Sequence, residues 1–247
     1  MNIKLLHLYP EAMSLYGEYA NLTLLSRYLT WRGAEVEIKT VGCDDAPDFT
    51  GADLIYMGAG TERTQKAALG WLMPYRDALK QAADHTLLLF TGNAMELLGA
   101  SVTDQKGAVH ECLGIGSFTT AERDQRIPHD VIARTGLFET PVVGFMNKCS
   151  VTGGVDSPLF DSMVMGMGNE QEGGSEGFRR GNVVGTHITG PILVKNPDFL
   201  VWAAEKILEN RGESLPVSTE EPDWLIHAKK AYQVTLDELS ALAKQSK

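Results

Sequence analysis

Three short apolar runs, IKLLHLY (3–9), ADLIYMG (52–58) and TLLLF (86–90), are each long enough for one buried strand and too short for a buried helix. Between them lies EYANLTLLSRYLTWRG (18–33), whose Ala20, Leu24, Leu25, Tyr28 and Leu29 recur at helical spacing before Gly33. A second helical segment, TQKAALGWLMPYRDALKQAAD (64–84), is interrupted or kinked by Pro74. AEVEIKTV (34–41) alternates as a further strand. The order β-α-β-β-α-β leaves few arrangements. Parallel neighbours need crossovers, helices supply them, and the crossovers cover both faces of the sheet. The expectation is a three-layer α/β domain with a mostly parallel sheet.

Beyond Gly99 the texture changes. ECLGIGSFTTAERD, DVIART and TPVVGFMNKCSVTGG read as short strands joined by turns, which predicts an antiparallel edge. The Gly-rich polar stretch MVMGMGNEQEGGSEGFRRGN (163–182) reads as a loop over the upper edge of the sheet. NVVGTHIT (182–189) is a late strand, and PDFLVWAAEKILENRG (197–212) a helix stopped by Gly212. Residues 1–212 therefore read as one domain, and 213–247 as a linker with an amphipathic helical tail. The tail's apolar stripe, Leu225, Ala228, Ala231 and Tyr232, then Leu236, Leu239 and Leu242, must be buried on a partner or against the domain itself.

Composition removes several classes of function. A net charge of −10 over 247 residues, with a pI near 5.1, disfavours nucleic acid and anionic membranes as partners. Cys43, Cys112 and Cys149 show no CxxC spacing and are odd in number, which points to a reducing compartment and away from a disulfide frame. No His/Cys/Asp/Glu grouping has metal-ligand spacing, and no cofactor motif is present: GAGTERTQKAAL lacks the GK[ST] ending of a phosphate-binding loop. No apolar run approaches the about 20 residues that span a bilayer, and the N-terminus is too short in its apolar part for a signal peptide. The chain reads as cytoplasmic.

TLLLFTGNAMELLG (86–99) has the strand–turn–helix layout on which α/β enzymes present a nucleophile, yet neither Cys nor Ser stands at its elbow. Around it, LYGEYANLTLLSRYLTWRGAEVEI, YMGAGTERTQKAAL, VGFMNKCSVTGG and FRRGNVVGTHITGPILVKNPDFLVWAAEKIL follow the order seen in class I glutamine amidotransferases. The chain resembles their cobyric-acid-synthase-like (CobB/CobQ-type) branch over residues 1–212, and within it the GatD-type amidotransferase subunits of lipid II isoglutaminyl synthase. The resemblance implies a class I amidotransferase fold with an antiparallel sheet edge. It also implies glutamine hydrolysis by a Cys–His pair, an oxyanion held by backbone N–H groups, and ammonia passed to a Mur-ligase-like synthetase partner that amidates an activated carboxylate.

Carried over residue by residue, the family's elbow C-G-G-Y-Q-x-L-G aligns with the chain's ELLG ending. Counting back puts the nucleophile at Gly92, with Asn93 and Ala94 in the glycine places and Glu96 in the Gln place; one inserted residue puts it at Thr91 instead. In GTHITGP, set against the family's G-T-Y-x-H-G-P, Thr189 holds the His position and His187 the aromatic one. Both halves of the catalytic pair are missing, and a threonine hydroxyl without a base is a poor substitute for a thiolate. Gly58 and Gly60 of MGAG take the place of the loop that donates backbone N–H groups. Gly58, Gly60, Asn93, Met95, Glu96 and His187 are the candidate pocket residues, for a small glutamine-like ligand. Glu62 and Arg63 are either rim residues or helix-start surface.

The resulting expectation is an amidotransferase-family subunit without glutaminase activity, working beside a Mur-ligase-like synthetase in cell-wall precursor amidation or a related pathway. Two alternatives stand beside it: an active amidotransferase with Cys149, on a loop near the pocket, as a relocated nucleophile and His187 as its base, or a stand-alone small-molecule binder. Cys112 and His7 read as structural, His7 as a histidine with its hydrogen bonds satisfied.

Overall fold

The computed structural model describes residues 1–216 and 220–245. The opening strand β1 (Asn2–Leu8) is flanked by β2 (Glu35–Val41) and β3 (Leu54–Met57), and β4 (Leu87–Thr91) pairs with β3, all in parallel. Crossovers come from helix α1 (Ala20–Trp31) and from α2 (Glu62–Leu72) with α3 (Arg76–Ala82), which are separated at Pro74 by a 3-10 turn. Strand alternation divides the core. Leu5, Leu54, Tyr56, Leu87 and Leu89 face the cluster containing α1. Leu6, Leu8, Ile55, Met57, Leu88 and Phe90 face the cluster containing α2 and α3. This two-sided burial explains the near-continuous apolar runs.

The middle of the chain departs from a simple sheet edge. It forms β5 (Ser101–Thr103), β6 (Val109–Glu111), β7 (Thr119–Arg134), β8 (Val142–Gly153) and β9 (Ser162–Met165), a separate five-stranded sheet built on the long antiparallel β7–β8 pair. Pairing in β7 shifts register between Glu122 and Ile127. The irregularity, with Pro128 and exposed polar residues around it, is why this stretch reads as two strands in sequence. The chain then returns to the first sheet through β10 (Phe178–Arg180) and β11 (Val183–Thr186). Its order becomes β10-β11-β4-β3-β1-β2, with only β10 antiparallel. The short α4 (Ile192–Lys195) and α5 (Pro197–Arg211) complete the layer beside α1, and Gly212 ends α5 in a left-handed cap.

The tail is not held away from the body. Helix α6 (Asp223–Gln245) places Leu225 in the main core and Leu239 against Ile132 and Val143 of the second sheet. Tyr232 Oη donates to the Pro141 carbonyl at 2.6 Å, and Arg27 lies over the Trp224 ring at 4.9 Å. Arg32 fastens the connection, donating to the carbonyls of Leu215 and Pro216 at 2.8 and 2.7 Å. Residues 217–219 of the linker and 246–247 lie outside the described residues. No helix among the described residues is long and apolar enough to cross a membrane.

Candidate functional site

Parallel pairing of β3, β4 and β11 brings the ends at Met57, Thr91 and Thr186 out along one edge of the sheet, where open α/β folds form their crevices. The turns that follow line a narrow cleft with about 30 Å³ of room for water-sized groups. Its walls include Gly60, Gly92, Asn93, Glu96, His187 and Thr189, with Asn147, Lys148, Cys149 and Ser150 from β8 and Glu122 and Arg126 from β7. Thr91, Gly58, Met95 and Arg63 are not part of that wall. Met95 is fully buried in the core, and Gly58 is packed so closely that an added Cβ would meet the Met13 carbonyl at 2.7 Å.

Gly92 forms the elbow between β4 and a 3-10 segment (Gly92–Leu98), which replaces the expected α-helix. Its φ is +62°, the left-handed conformation that glycine adopts without strain. A Cβ added there would stand 2.5 Å from Ala59 Cβ and 3.0 Å from Thr189 Cγ2. The elbow and the Thr189 segment are thus in contact, but Ala59 occupies the room a side chain would need. Thr189 is tied to β8: its Oγ1 donates to the Phe145 carbonyl at 3.1 Å. Thr91 points away from the cleft, donating to Glu18 and lying 2.9 Å from Tyr56 Oη. Glu18 is itself fully buried, accepting from Tyr56 Oη at 2.9 Å and from the Gly190 N–H at 2.9 Å. Burial raises its pKa, against the pull of these hydrogen bonds.

The Gly60 N–H, expected from the sequence to be a free backbone donor, has a partner. Asn93 Oδ1 accepts the Gly60 N–H at 2.9 Å, so that donor is already occupied. Behind the elbow, Glu96 accepts from Ser150 Oγ at 2.5 Å and from Gln65 Nε2 at 2.7 Å. His187 Nδ1 lies 3.0 Å from Glu176 Oε1, which also receives the His187 N–H at 2.8 Å. Its Nε2 is 3.4 Å from Glu96 Oε1 and has no hydrogen-bond partner. Burial opposes charge on this ring, but the carboxylates of Glu176 and Glu96 outweigh it and raise its pKa. Lys148, 6% exposed, donates to the carbonyls of Gly168 and Asn169 at 2.6 and 3.1 Å, and burial lowers its pKa.

Cys149 lies on β8 rather than on a loop. Its thiol donates to Glu62 Oε1 at 3.0 Å and receives Arg126 Nη2 at 3.4 Å. Burial, then the neighbouring Glu62, push its pKa up to about 12. Cys112 is buried beside the His110 carbonyl, and all three cysteines are free. His7 Nε2 has no hydrogen-bond partner, so this histidine is not satisfied; burial lowers its pKa to about 4. No group of three or more His, Cys, Asp or Glu among the described residues could hold a metal ion. Lys148 and Ser150 lie within the VGFMNKCSVTGG block but carry no signal that marks them as cleft residues. Glu176 sits in a Gly-rich stretch that reads as surface, and only the β10–β11 hairpin brings it to His187.

Residues 4–197 match the family model of the CobB/CobQ-like glutamine amidotransferase domain. The chain belongs to this family. Among curated proteins, this CobB/CobQ-like chain is 28% identical over 219 residues to the lipid II isoglutaminyl synthase (glutamine-hydrolyzing) subunit GatD of Staphylococcus aureus (strain N315), covering 88% of each. It is 27% identical to the same subunit of Streptococcus pneumoniae (strain ATCC BAA-255 / R6), over 87% of this chain and 85% of that one. A crystal structure of a glutamine amidotransferase shares the fold, with a TM-score of 0.54 and 12% identity, over 82% of this chain and 98% of the other.

Proposed function

We propose that this CobB/CobQ-like chain is a GatD-like subunit without glutaminase activity, acting beside a Mur-ligase-like synthetase in cell-wall precursor amidation or a related pathway. The observation that carries the first half is Gly92, an elbow with neither a nucleophile nor room for one beside Ala59. Thr189, in the base position, has its hydroxyl engaged by Phe145, and Asn93 engages the Gly60 N–H that would serve an oxyanion. Likeness to the GatD subunits over most of the chain supports the second half.

A relocated Cys149 nucleophile is the second reading, favoured only by that thiol's place on the cleft wall. A carboxylate at hydrogen-bond distance holds the proton on sulfur rather than removing it. His187, its proposed base, faces Glu176 and Glu96. The test is ammonia release from glutamine by the purified chain, together with capture of a Mur-ligase-like protein by the intact chain from its own cells. Background ammonia with ligase capture is expected. Ammonia that disappears in Cys149→Ser would establish the relocated site instead, and absence of any ligase would promote a stand-alone binder.

A further inference from the structure

Strand β2 is the edge of the first sheet farthest from β10, and its outer side has no strand partner among the described residues. Its backbone alternates. The Glu35 N–H donates to the Met1 carbonyl and the Val41 carbonyl accepts from the Tyr9 N–H. In this parallel register, Glu35, Glu37, Lys39 and Val41 therefore turn their backbone groups to β1. Those of Val36, Ile38 and Thr40 point outward and are unpaired among the described residues. The side chains are open as well: Glu37, Lys39 and Thr40 are exposed, and Ile38 is 40% exposed. An uncovered edge of this kind is a template for another strand.

The side chains determine which strand fits. Two identical edges related by a two-fold axis pair antiparallel, because a parallel ladder needs facing residues out of phase and the symmetry puts them in phase. With the axis at Ile38, that residue meets its own copy, Val36 meets Thr40, and Glu37 meets Lys39 on both sides of the axis. Val36, Ile38 and Thr40 then exchange their outward N–H and C=O groups. Glu37 and Lys39 fall at the non-hydrogen-bonded positions, where facing side chains approach most closely. Neither side chain makes a hydrogen bond or ion pair among the described residues, and Lys39 acts on Asp48 only at a distance. A register centred one residue away sets Glu37 against Glu37 or Lys39 against Lys39, so the charges fix the alignment.

We propose that β2 is a self-association edge, joining two copies of this chain antiparallel about Ile38 into one continuous sheet. Strand β1 separates β2 from the strand ends that form the cleft, so the pairing is independent of the cleft's chemistry.

The test is sedimentation velocity of the full chain across micromolar to millimolar concentrations, with amide exchange followed by NMR on the same samples. A reversible dimer is expected, in which the Val36, Ile38 and Thr40 amides exchange more slowly in concentrated than in dilute solution. Lys39→Glu turns each facing Glu37–Lys39 pair into a pair of like charges and should raise the dissociation constant by about ten-fold or more. Glu37→Lys combined with Lys39→Glu exchanges the charges and restores the complementarity. Its dissociation constant should return to within about three-fold of the parent's. Both positions are exposed, and melting curves of each variant record that the fold is kept. A monomer at every concentration, a dimer indifferent to Lys39→Glu, or a double variant no tighter than the single one would each overturn the proposal. So would a dimer that leaves exchange at Val36, Ile38 and Thr40 unchanged, since it would lie on another surface.

Discussion

Gly92 and Ala59 together decide what can be rebuilt at the elbow. A Gly92→Cys change adds a Cβ at 2.5 Å from Ala59 Cβ on a backbone with φ +62°. Left-handed strain and overpacking together should cost about 2–4 kcal/mol, seen as a lower melting temperature. Ala59→Gly in the same chain should recover the packing part. Gly92→Cys with Thr189→His is expected to release no ammonia, because Asn93 still covers the Gly60 N–H; a glutaminase assay of the double variant checks this. His7 gives a separate signature. Its pKa falls from 6.5 to about 4 on burial, so below pH 6.5 the unfolded chain takes up the proton and the fold does not. Stability should therefore be lost as the pH drops from 6.5 towards 4, by on the order of 3 kcal/mol at most. His7→Gln, measured by denaturant unfolding across that range, should flatten this part of the profile.

At the scale of elements, α6 and the long β7–β8 pair carry the lessons. The amphipathic stripe of α6 is legible in the sequence, but its burial site is not, since a stripe states that a face is covered and not by what. Leu225 at 2% exposure now predicts that Leu225→Ala costs about 2–4 kcal/mol in chemical denaturation. Deleting 213–247 should uncover Ile132 and Val143 and remove the carbonyls that Arg32 holds. The truncated chain should melt earlier or aggregate even with no partner present; an unchanged melting curve would contradict the packing. The 3-10 segment after the elbow was hidden for a related reason. Ala94, Met95, Leu97 and Leu98 are good helix residues, yet the tight approach of Gly185 to Met95 and Leu98 belongs to the tertiary packing.

Over the whole molecule, two sheets share the task of building the cleft. The first supplies the strand ends of β3, β4 and β11, and the second supplies the β8 wall with Lys148, Cys149 and Ser150. Since α6 is anchored on the body, a ligase partner is expected to be captured by the full chain through another surface. Val234→Ser, on the exposed side of α6, should leave that capture unchanged in a pull-down.

The apolar runs, their helical spacers and the motif order are local properties, so the sequence by itself determined the parallel sheet, its two covered faces and the place of the elbow. The approach of the Gly92 and Thr189 segments was legible because both lie in short motifs at strand ends. The rest needed tertiary structure. Thr91 turns to Glu18, Asn93 caps Gly60, and Glu176 reaches His187, all through hydrogen bonds between side chains or loops far apart in the chain. Such pairings leave no periodicity to read. They are set by which strand ends meet, and here that meeting left a glycine elbow closed by Ala59.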